Sequence, residues 1–170
     1  MARKIILITG GQRSGKSVFA ERTALAMCDA PVYVATAGIG DEEMEQRVAV
    51  HRARRGAAWT TIEEGRCLSS LTLAGKTVLV DCVTMWLTNI FFANNENPER
   101  ALCEFKEEFD KFTAQDATFV FVTNEIGCGG TSANAMQRAF TDALGIANIH
   151  VASAADDVYL LVSGIPVKIK

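Results

Sequence analysis

The segment Gly10-Gly11-Gln12-Arg13-Ser14-Gly15-Lys16-Ser17 has the residue types and spacing of a loop that holds phosphate groups. It fits the pattern G-x-x-x-x-G-K-[ST] without a gap. Glycines in this pattern let backbone N–H groups turn toward phosphate oxygens, and the helix that follows adds the positive end of its dipole. We expect Lys16 to reach the β- and γ-phosphates and Ser17 to hold Mg²⁺. A chance glycine-rich turn is the alternative, but the segment predicts binding of a nucleoside triphosphate.

A carboxylate at the end of a later hydrophobic run is the candidate for a second group on the magnesium side. Asp81 closes the run Val78-Leu79-Val80, and P-loop enzymes use an aspartate of this kind. The side chain could coordinate Mg²⁺ directly, act through a bound water, or contact the nucleotide. It could also cap the turn that follows. The sequence alone leaves these roles open.

One of the two histidines lies in a strongly basic segment. His51 has four arginines near it in the sequence, namely Arg47, Arg52, Arg54 and Arg55. Surrounding cations disfavour protonation of an imidazole, and a neutral ring nitrogen can attack phosphorus to form an N–P bond. The arginines could instead clamp a triphosphate, and a solvated basic helix end is the third interpretation. His150, the other histidine, is interpreted as an ordinary helix residue.

Short runs of apolar, mostly β-branched residues predict the strands of a buried parallel sheet. They cover residues 4–9, 32–36, 77–81, 118–123 and 157–162, with a further terminal strand at 167–170. Helical patterns lie between them at 16–27, 41–54, 85–92, 98–113 and 132–154, the last with a break at Gly145. This alternation predicts an α/β, P-loop NTPase-like fold of three layers, with a mainly parallel sheet and helices on both faces.

The helix predicted at 98–113 carries three phenylalanines at spacings of four and three, which are Phe105, Phe109 and Phe112. A cofactor-binding face and ordinary core packing both fit this spacing, and we predict core packing. Pro98 is expected in the first turn of this helix, after a polar linker.

Length and composition exclude several classes of protein. The chain has 170 residues, of which 49% are hydrophobic, so we expect one domain over residues 1–170. Its 17 Lys and Arg against 20 Asp and Glu leave a formal charge of −3, which argues against a broad nucleic-acid-binding surface. No stretch is long and apolar enough to predict a membrane span. Scattered cysteines without a C-x-x-C pair, together with the lack of a signal peptide, predict a reducing cytoplasm.

Several segments together resemble one enzyme family. The phosphate loop is followed by Ala35-Thr36-Ala37, by residues 41–44, by the basic segment 47–55 with His51, and by Trp59. The match continues through residues 81–84, 87–89, 122–127, 155–158 and 162–166. The chain resembles the bifunctional adenosylcobinamide kinase/adenosylcobinamide-phosphate guanylyltransferase family of cobalamin biosynthesis. The loop occurs in many unrelated proteins, whereas the segments 47–55 and 122–127 in this order are far more specific.

The resemblance implies a two-step enzyme. ATP or GTP first phosphorylates the hydroxyl of the aminopropanol arm of adenosylcobinamide, and GTP then gives GMP to that phosphate, producing adenosylcobinamide-GDP and pyrophosphate. The histidine that carries GMP in the family matches His51, and Lys16 serves as the second catalytic residue. Implied nucleotide contacts are the loop from Gly10 to Ser17, Ala37, Gly38, Ile39, Arg52, Ala53, Arg54, Arg55, Glu63 and Asp81. Ser17 and Asp81 remain the candidates for holding Mg²⁺.

The chain departs from the family pattern at residues 128–132 and 148–150, so no corrinoid-contacting residue is assigned from the resemblance. The family implies a homo-oligomer, with a trimer as the expected form, and we expect the corrinoid in a groove between subunits. The main alternative is a P-loop kinase of another small alcohol without guanylyl transfer. A nucleotide-dependent switch is a second alternative, and the small size of the chain argues against it.

Overall fold

The computed structural model describes residues 2–37 and 56–170. The strands are β1 (Lys4–Gly10), β2 (Val32–Ala35), β3 (Thr60–Glu63), β4 (Thr77–Asp81), β5 (Thr118–Val122), β6 (Asp157–Val162) and β7 (Ile165–Lys168). The helices are α1 (Lys16–Met27), α2 (Val83–Ala93), α3 (Pro98–Thr113) and α4 (Ala135–Ala154). The helix predicted at 41–54 lies outside the described residues.

The seven strands form one sheet in the order β3-β2-β4-β5-β1-β6-β7. All neighbouring pairs are parallel except β6 with β7. One row of the register runs across five strands through Glu63, Ala35, Asp81, Val122 and Ile8. The carboxyl ends of the parallel strands therefore meet at one edge, where open α/β sheets bind their ligands.

Alternate residues of the strands face two separate hydrophobic cores. On β1, Ile5 and Leu7 pack with residues of α2, α3 and α4, whereas Ile6 and Ile8 pack with residues of α1. Successive side chains of a strand point to opposite faces of the sheet, so helices cover both faces. The predicted α/β fold of three layers with a mainly parallel sheet is confirmed.

Helix α3 packs through its aromatic stripe, as the sequence predicts. Its three phenylalanines at 105, 109 and 112 are fully buried, and the ring of Phe112 lies 4.9 Å from that of Phe119 on β5. Pro98 occupies the first turn, and the side chain of Asn97 accepts a hydrogen bond from the backbone N–H of Arg100 at 3.0 Å. This cap satisfies one of the free N–H groups at the start of the helix.

Three elements differ from the sequence prediction. Strand β3 lies where no strand is predicted, because this edge strand is mostly exposed and lacks an apolar run. Helix α4 continues through Gly145 without a break, since the buried residues around it, such as Leu144 and Ala147, outweigh the helix penalty of about 1 kcal/mol for one glycine. Strand β7 begins two residues earlier than predicted, directly after a tight turn at Ser163 and Gly164.

In the described part of the chain, none of the helices combines the length and the apolar character needed to cross a membrane.

Candidate active site

The loop between β1 and α1 lies so close to the sheet that glycine is required at two positions. A Cβ atom at Gly10 would lie 2.6 Å from the carbonyl oxygen of Leu161 on β6. Gly15 precedes α1 with a φ of 93°, and a Cβ atom there would lie 3.3 Å from the Cα atom of Gly164. Glycine adopts such a φ without steric cost. The phosphate-loop sequence is therefore also a packing requirement of this fold.

Two segments far away in the sequence hold the loop in place. The backbone N–H of Gly164, in the turn between β6 and β7, donates to the carbonyl oxygen of Ser14 at 2.9 Å. The backbone N–H of Glu125, just after β5, donates to the carbonyl oxygen of Gly10 at 3.1 Å. These bonds tie the loop at Gly10 and at Ser14 to other parts of the sheet.

Lys16 begins α1 and is only 7% exposed. Its Nζ atom donates to the carbonyl oxygen of Gly11 at 2.5 Å, so the ammonium group lies across the loop. Burial lowers the pKa of Lys16, and the neighbouring Cys82 and Asp81 oppose that shift. Burial also raises the pKa of Cys82 to about 12, so at neutral pH the thiol is uncharged and Asp81 supplies the negative charge. A partly desolvated ammonium attracts an anion more strongly than an exposed one.

A pocket of about 370 Å³ brings several of the predicted residues together. Gln12, Arg13, Lys16 and Ser17 of the loop line it, and Asp81 lines it from the end of β4. A second recess, of about 250 Å³, lies against the loop and the first turn of α1. Both recesses meet the start of a helix, where exposed N–H groups favour anions.

Four further residues line the same pocket; they lie in segments that carry the family resemblance but were not predicted as site residues: Cys82, Val122, Asn124 and Ile126. Asn124 follows β5, which lies between β1 and β4 in the sheet. A polar residue just after a buried strand is the signal that identified Asp81, and it would have found Asn124 as well.

Asn124 is held by hydrogen bonds on both sides of its backbone. Its N–H donates to the hydroxyl of Thr84 at 3.0 Å, and its carbonyl oxygen accepts from the side-chain amide of Asn148 at 3.2 Å. Asn148 in turn accepts a hydrogen bond from the hydroxyl of Thr123 at 2.7 Å. This network connects α2, β5 and α4, and it fixes the wall of the pocket opposite the loop.

The end of β4 is connected to β2 by a second buried network. The hydroxyl of Tyr33 donates to the Asp81 carboxylate at 2.9 Å. The hydroxyl of Thr36 accepts from the backbone N–H of Cys82 at 2.7 Å and donates to its carbonyl oxygen at 2.8 Å. The side-chain amide of Asn89 donates to the carbonyl oxygen of Thr36 at 2.8 Å.

Two other predicted nucleotide contacts lie at the same edge of the sheet but not in the pocket lining. Glu63 ends β3, and Ala37 follows β2 by two residues. Because neighbouring strands are about 4.8 Å apart, Glu63 is about 10 Å along the row from Asp81. The predicted contacts Gly38, Ile39, Arg52, Ala53, Arg54 and Arg55 lie outside the described residues, as does the predicted nucleophile His51.

The donor atoms of the pocket fit Mg²⁺. Ser17 offers a hydroxyl oxygen and Asp81 a carboxylate, and Mg²⁺ is usually held by one or two protein oxygens together with phosphates and water. Within residues 2–37 and 56–170, no group of three His, Cys, Asp or Glu residues forms a metal site. A metal in this pocket would therefore be shared between the protein and a bound nucleotide.

Comparison with known proteins gives consistent matches. Residues 6–169 match the family model for cobinamide kinase / cobinamide phosphate guanyltransferase. The chain is 40% identical to the bifunctional adenosylcobalamin biosynthesis protein CobU of Salmonella typhimurium, over 98% of this chain and 99% of that protein. It is 38% identical to the bifunctional adenosylcobalamin biosynthesis protein CobP of Pseudomonas aeruginosa, over 96% of each chain. Among solved structures, flagellar accessory protein FlaH from Methanocaldococcus jannaschii aligns with a TM-score of 0.49 at 15% identity, over 100% of this chain and 80% of that one.

Proposed function

The chain belongs to the cobinamide kinase / cobinamide phosphate guanyltransferase family, and from that membership we propose that it is a bifunctional enzyme of cobalamin biosynthesis. It phosphorylates the aminopropanol hydroxyl of adenosylcobinamide with ATP or GTP. It then transfers GMP from GTP to the new phosphate, giving adenosylcobinamide-GDP and pyrophosphate. The whole chain, residues 1–170, acts as one nucleotide-binding transferase domain.

Support comes from the pocket in which Lys16, Ser17 and Asp81 meet. In the kinase step the acceptor hydroxyl oxygen attacks the γ-phosphorus, the bond from phosphorus to the bridging oxygen breaks, and the nucleoside diphosphate leaves. Lys16 stabilises the charge that develops on the phosphate oxygens, and the N–H groups of the loop hold the phosphates. The hydroxyl proton passes to water, because a loose phosphoryl transition state needs no strong base.

Ser17 and Asp81 are the residues that would hold Mg²⁺. The ion, when bound, would supply positive charge next to the triphosphate. The contribution of the protein is to keep the carboxylate in position, through the hydrogen bond from Tyr33, and to keep Lys16 close to the same pocket.

In the guanylyl step His51 acts as the nucleophile. A ring nitrogen of His51 attacks the α-phosphorus of GTP, an N–P bond forms, and the bond to pyrophosphate breaks. The phosphate of cobinamide phosphate then attacks the same phosphorus and releases the histidine. Lys16 and the arginines at 52, 54 and 55 offset the charge of the departing pyrophosphate.

GTP labelled at the α-phosphate tests this proposal directly. We expect a labelled protein whose label is acid-labile and alkali-stable, and which forms only while His51 is present. Unlabelled protein together with rapid phosphorylation of another small alcohol would instead indicate a plain P-loop kinase.

The remaining expectations from the family are part of the same proposal. The protein works as a homo-oligomer, with a trimer as the expected form, and sedimentation of the active enzyme checks this. The five cysteines are unpaired, which supports a reducing compartment such as the cytoplasm.

A further inference from the structure

A groove of about 870 Å³ lies directly beside the pocket of the phosphate loop. The segment after β5 forms one wall, and the amino-terminal and middle turns of α4 form the other. Ile126 lines both the groove and the smaller pocket, so the two cavities adjoin each other at this side chain. The groove thus opens toward the place where Lys16, Asp81 and Asn124 face each other.

The groove has an apolar strip that is exposed to solvent. Ile126 is 37% exposed, Ile146 44% and Ile149 70%. Ile146 and Ile149 are three residues apart on α4 and therefore lie on one side of the helix. Polar side chains, among them Glu125 and Asp142, lie along the same groove. A ligand that fits this surface has an apolar face and a rim of hydrogen-bonding groups.

The wall formed by the segment after β5 is held against α4. The guanidinium of Arg138 donates to the carbonyl oxygen of Ser132 at 2.8 Å and to that of Ala133 at 2.9 Å. The side chain of Asn134 caps α4 by accepting from the backbone N–H of Gln137 at 3.1 Å. These bonds within the protein hold the segment at the start of α4 and so support the wall of the groove.

We propose that this groove binds the corrinoid acceptor, with the ring system against Ile146 and Ile149 and the aminopropanol arm directed past Ile126 into the phosphate pocket. The inference rests on the proposed function, because it takes the acceptor from there. A corrin ring carries amide side chains around an extended macrocycle, which matches an apolar strip flanked by polar residues. The volume lies within the range of about 300–1,000 Å³ found for ligand sites.

Two other occupants fit the groove less well. The triphosphate of a nucleotide fits the two recesses at the loop better than the groove, because none of the loop residues 10–17 lines the groove. A smaller apolar recess of about 260 Å³, lined by Phe92, Met136 and Phe140, shares Gln137 with the groove but no residue with the phosphate pocket. An acceptor placed there would not reach the nucleotide.

The test compares Ile149→Arg, which changes an exposed side chain of the groove, with the control Leu25→Arg on the other face of the sheet. Ile146→Arg serves as a second groove variant. Leu25→Arg changes a helical residue of α1 that is 40% exposed, close to the 44% of Ile146. Cobinamide binding is measured by equilibrium dialysis, and the KM values for cobinamide and for the nucleotide are measured in the kinase reaction. Labelling of each variant by α-labelled GTP in the absence of corrinoid reports whether the protein is folded.

We expect both groove variants to raise the dissociation constant and the KM for cobinamide by roughly tenfold or more, since a charged side chain would have to be desolvated against the ring. The nucleotide KM and the labelling should match the wild type, and Leu25→Arg should change nothing. An unchanged cobinamide KM in both groove variants, or a rise confined to the nucleotide KM, overturns the groove assignment. Failure of the wild-type protein itself to bind or phosphorylate cobinamide overturns the proposed function instead.

Discussion

The hydroxyl of Tyr33 lies 2.9 Å from Oδ2 of Asp81 and donates a hydrogen bond to it. The two residues are on neighbouring strands, and Tyr33 is only 3% exposed, whereas Asp81 is partly open to the pocket. The Tyr33 ring also packs edge-on against Trp59 at 6.0 Å. Tyr33 is thus a rigid buried donor that sets the orientation of a carboxylate at the phosphate pocket.

Replacing Tyr33 by Phe should raise the Mg²⁺ requirement of the kinase reaction but change the stability of the fold much less. The variant keeps the ring and its contact with Trp59 but removes the hydrogen bond to Asp81. A hydrogen bond to a charged group is worth about 1.5–3 kcal/mol, so its loss should raise the Mg²⁺ concentration for half-maximal kinase rate by roughly tenfold and by no more than about 150-fold. A magnesium titration at saturating nucleotide measures this. If the magnesium dependence stays that of the wild type while only the melting temperature falls, Tyr33 has a purely structural role.

Lys16→Ala should disable both reactions. The ammonium is nearly buried and lies over the loop, and among the described residues that line the pocket Arg13 is the other cation. Removing one preorganised group of this kind costs about 10²- to 10³-fold in rate. Kinase turnover and α-label incorporation should therefore fall together. Lys76→Ala, which changes an exposed lysine before β4, is the matched control and should leave both rates intact.

His51→Ala should separate the two reactions. The guanylyl step needs the ring nitrogen as nucleophile, whereas the kinase step does not. We expect α-label incorporation and formation of adenosylcobinamide-GDP to disappear while phosphorylation of adenosylcobinamide continues. Equal losses in both reactions would show that His51 is a structural residue or a general phosphate clamp.

The sequence predicts an element of this fold well where one continuous stretch of residues shows the complete pattern of that element. The phosphate loop is contiguous, and the buried strands β1, β4 and β5 appear as uninterrupted apolar runs. Strand β3 escapes prediction because most of its residues are exposed, so its pairing with β2 depends on main-chain hydrogen bonds that any residue can make.

The sequence predicts only some of the residues that line the pocket, because the others are brought to it by tertiary contacts. Cys82, Asn124 and Ile126 reach it through the strand order, in which β5 lies between β1 and β4. Nor does any motif show that Gly164 donates to the loop at Ser14, since the two residues are 150 positions apart and meet only once β6 and β7 are formed. Spacing along the chain carries no information on such contacts.

Asp157→Asn should reduce stability in a manner that depends on pH. Asp157 forms ion pairs with Lys168 and with Lys4, the latter at 3.0 Å. The hydrogen bonds that the two ammonium groups donate to the carboxylate lower the pKa of Asp157. A lowered pKa in the folded state stabilises the protein above the ordinary aspartate value of about 3.9, and this contribution is lost as the pH falls through the folded-state value. The melting temperatures of the wild type and of Asp157→Asn should therefore differ most above about pH 5 and become equal near pH 2. The exposed residue Asp29 provides the control Asp29→Asn, and a gap that is independent of pH would contradict the ion-pair explanation.

Thr36→Val should destabilise the protein strongly although it preserves the shape of the side chain. Thr36 is fully buried, and its hydroxyl bonds both the N–H and the carbonyl oxygen of Cys82, at 2.7 and 2.8 Å. Valine would leave the buried N–H of Cys82 without this acceptor, at a cost of about 1–3 kcal/mol, whereas the carbonyl oxygen of Cys82 keeps its bond from the N–H of Trp86 at 3.0 Å. For a chain of this size the melting temperature should fall by roughly 3–10 °C.

Thr23→Val is the matched control for this loss. The hydroxyl of Thr23 donates only to the carbonyl oxygen of Phe19, one turn earlier in α1, at 2.8 Å. Its removal should cost less than about 0.5 kcal/mol. Because Cys82 follows Asp81 directly, Thr36→Val should also raise the Mg²⁺ requirement at a temperature where the variant is still folded, whereas Thr23→Val should not. Similar melting temperatures for the two variants would mean that the end of β4 is held by other contacts, and that Thr36 does not position Asp81.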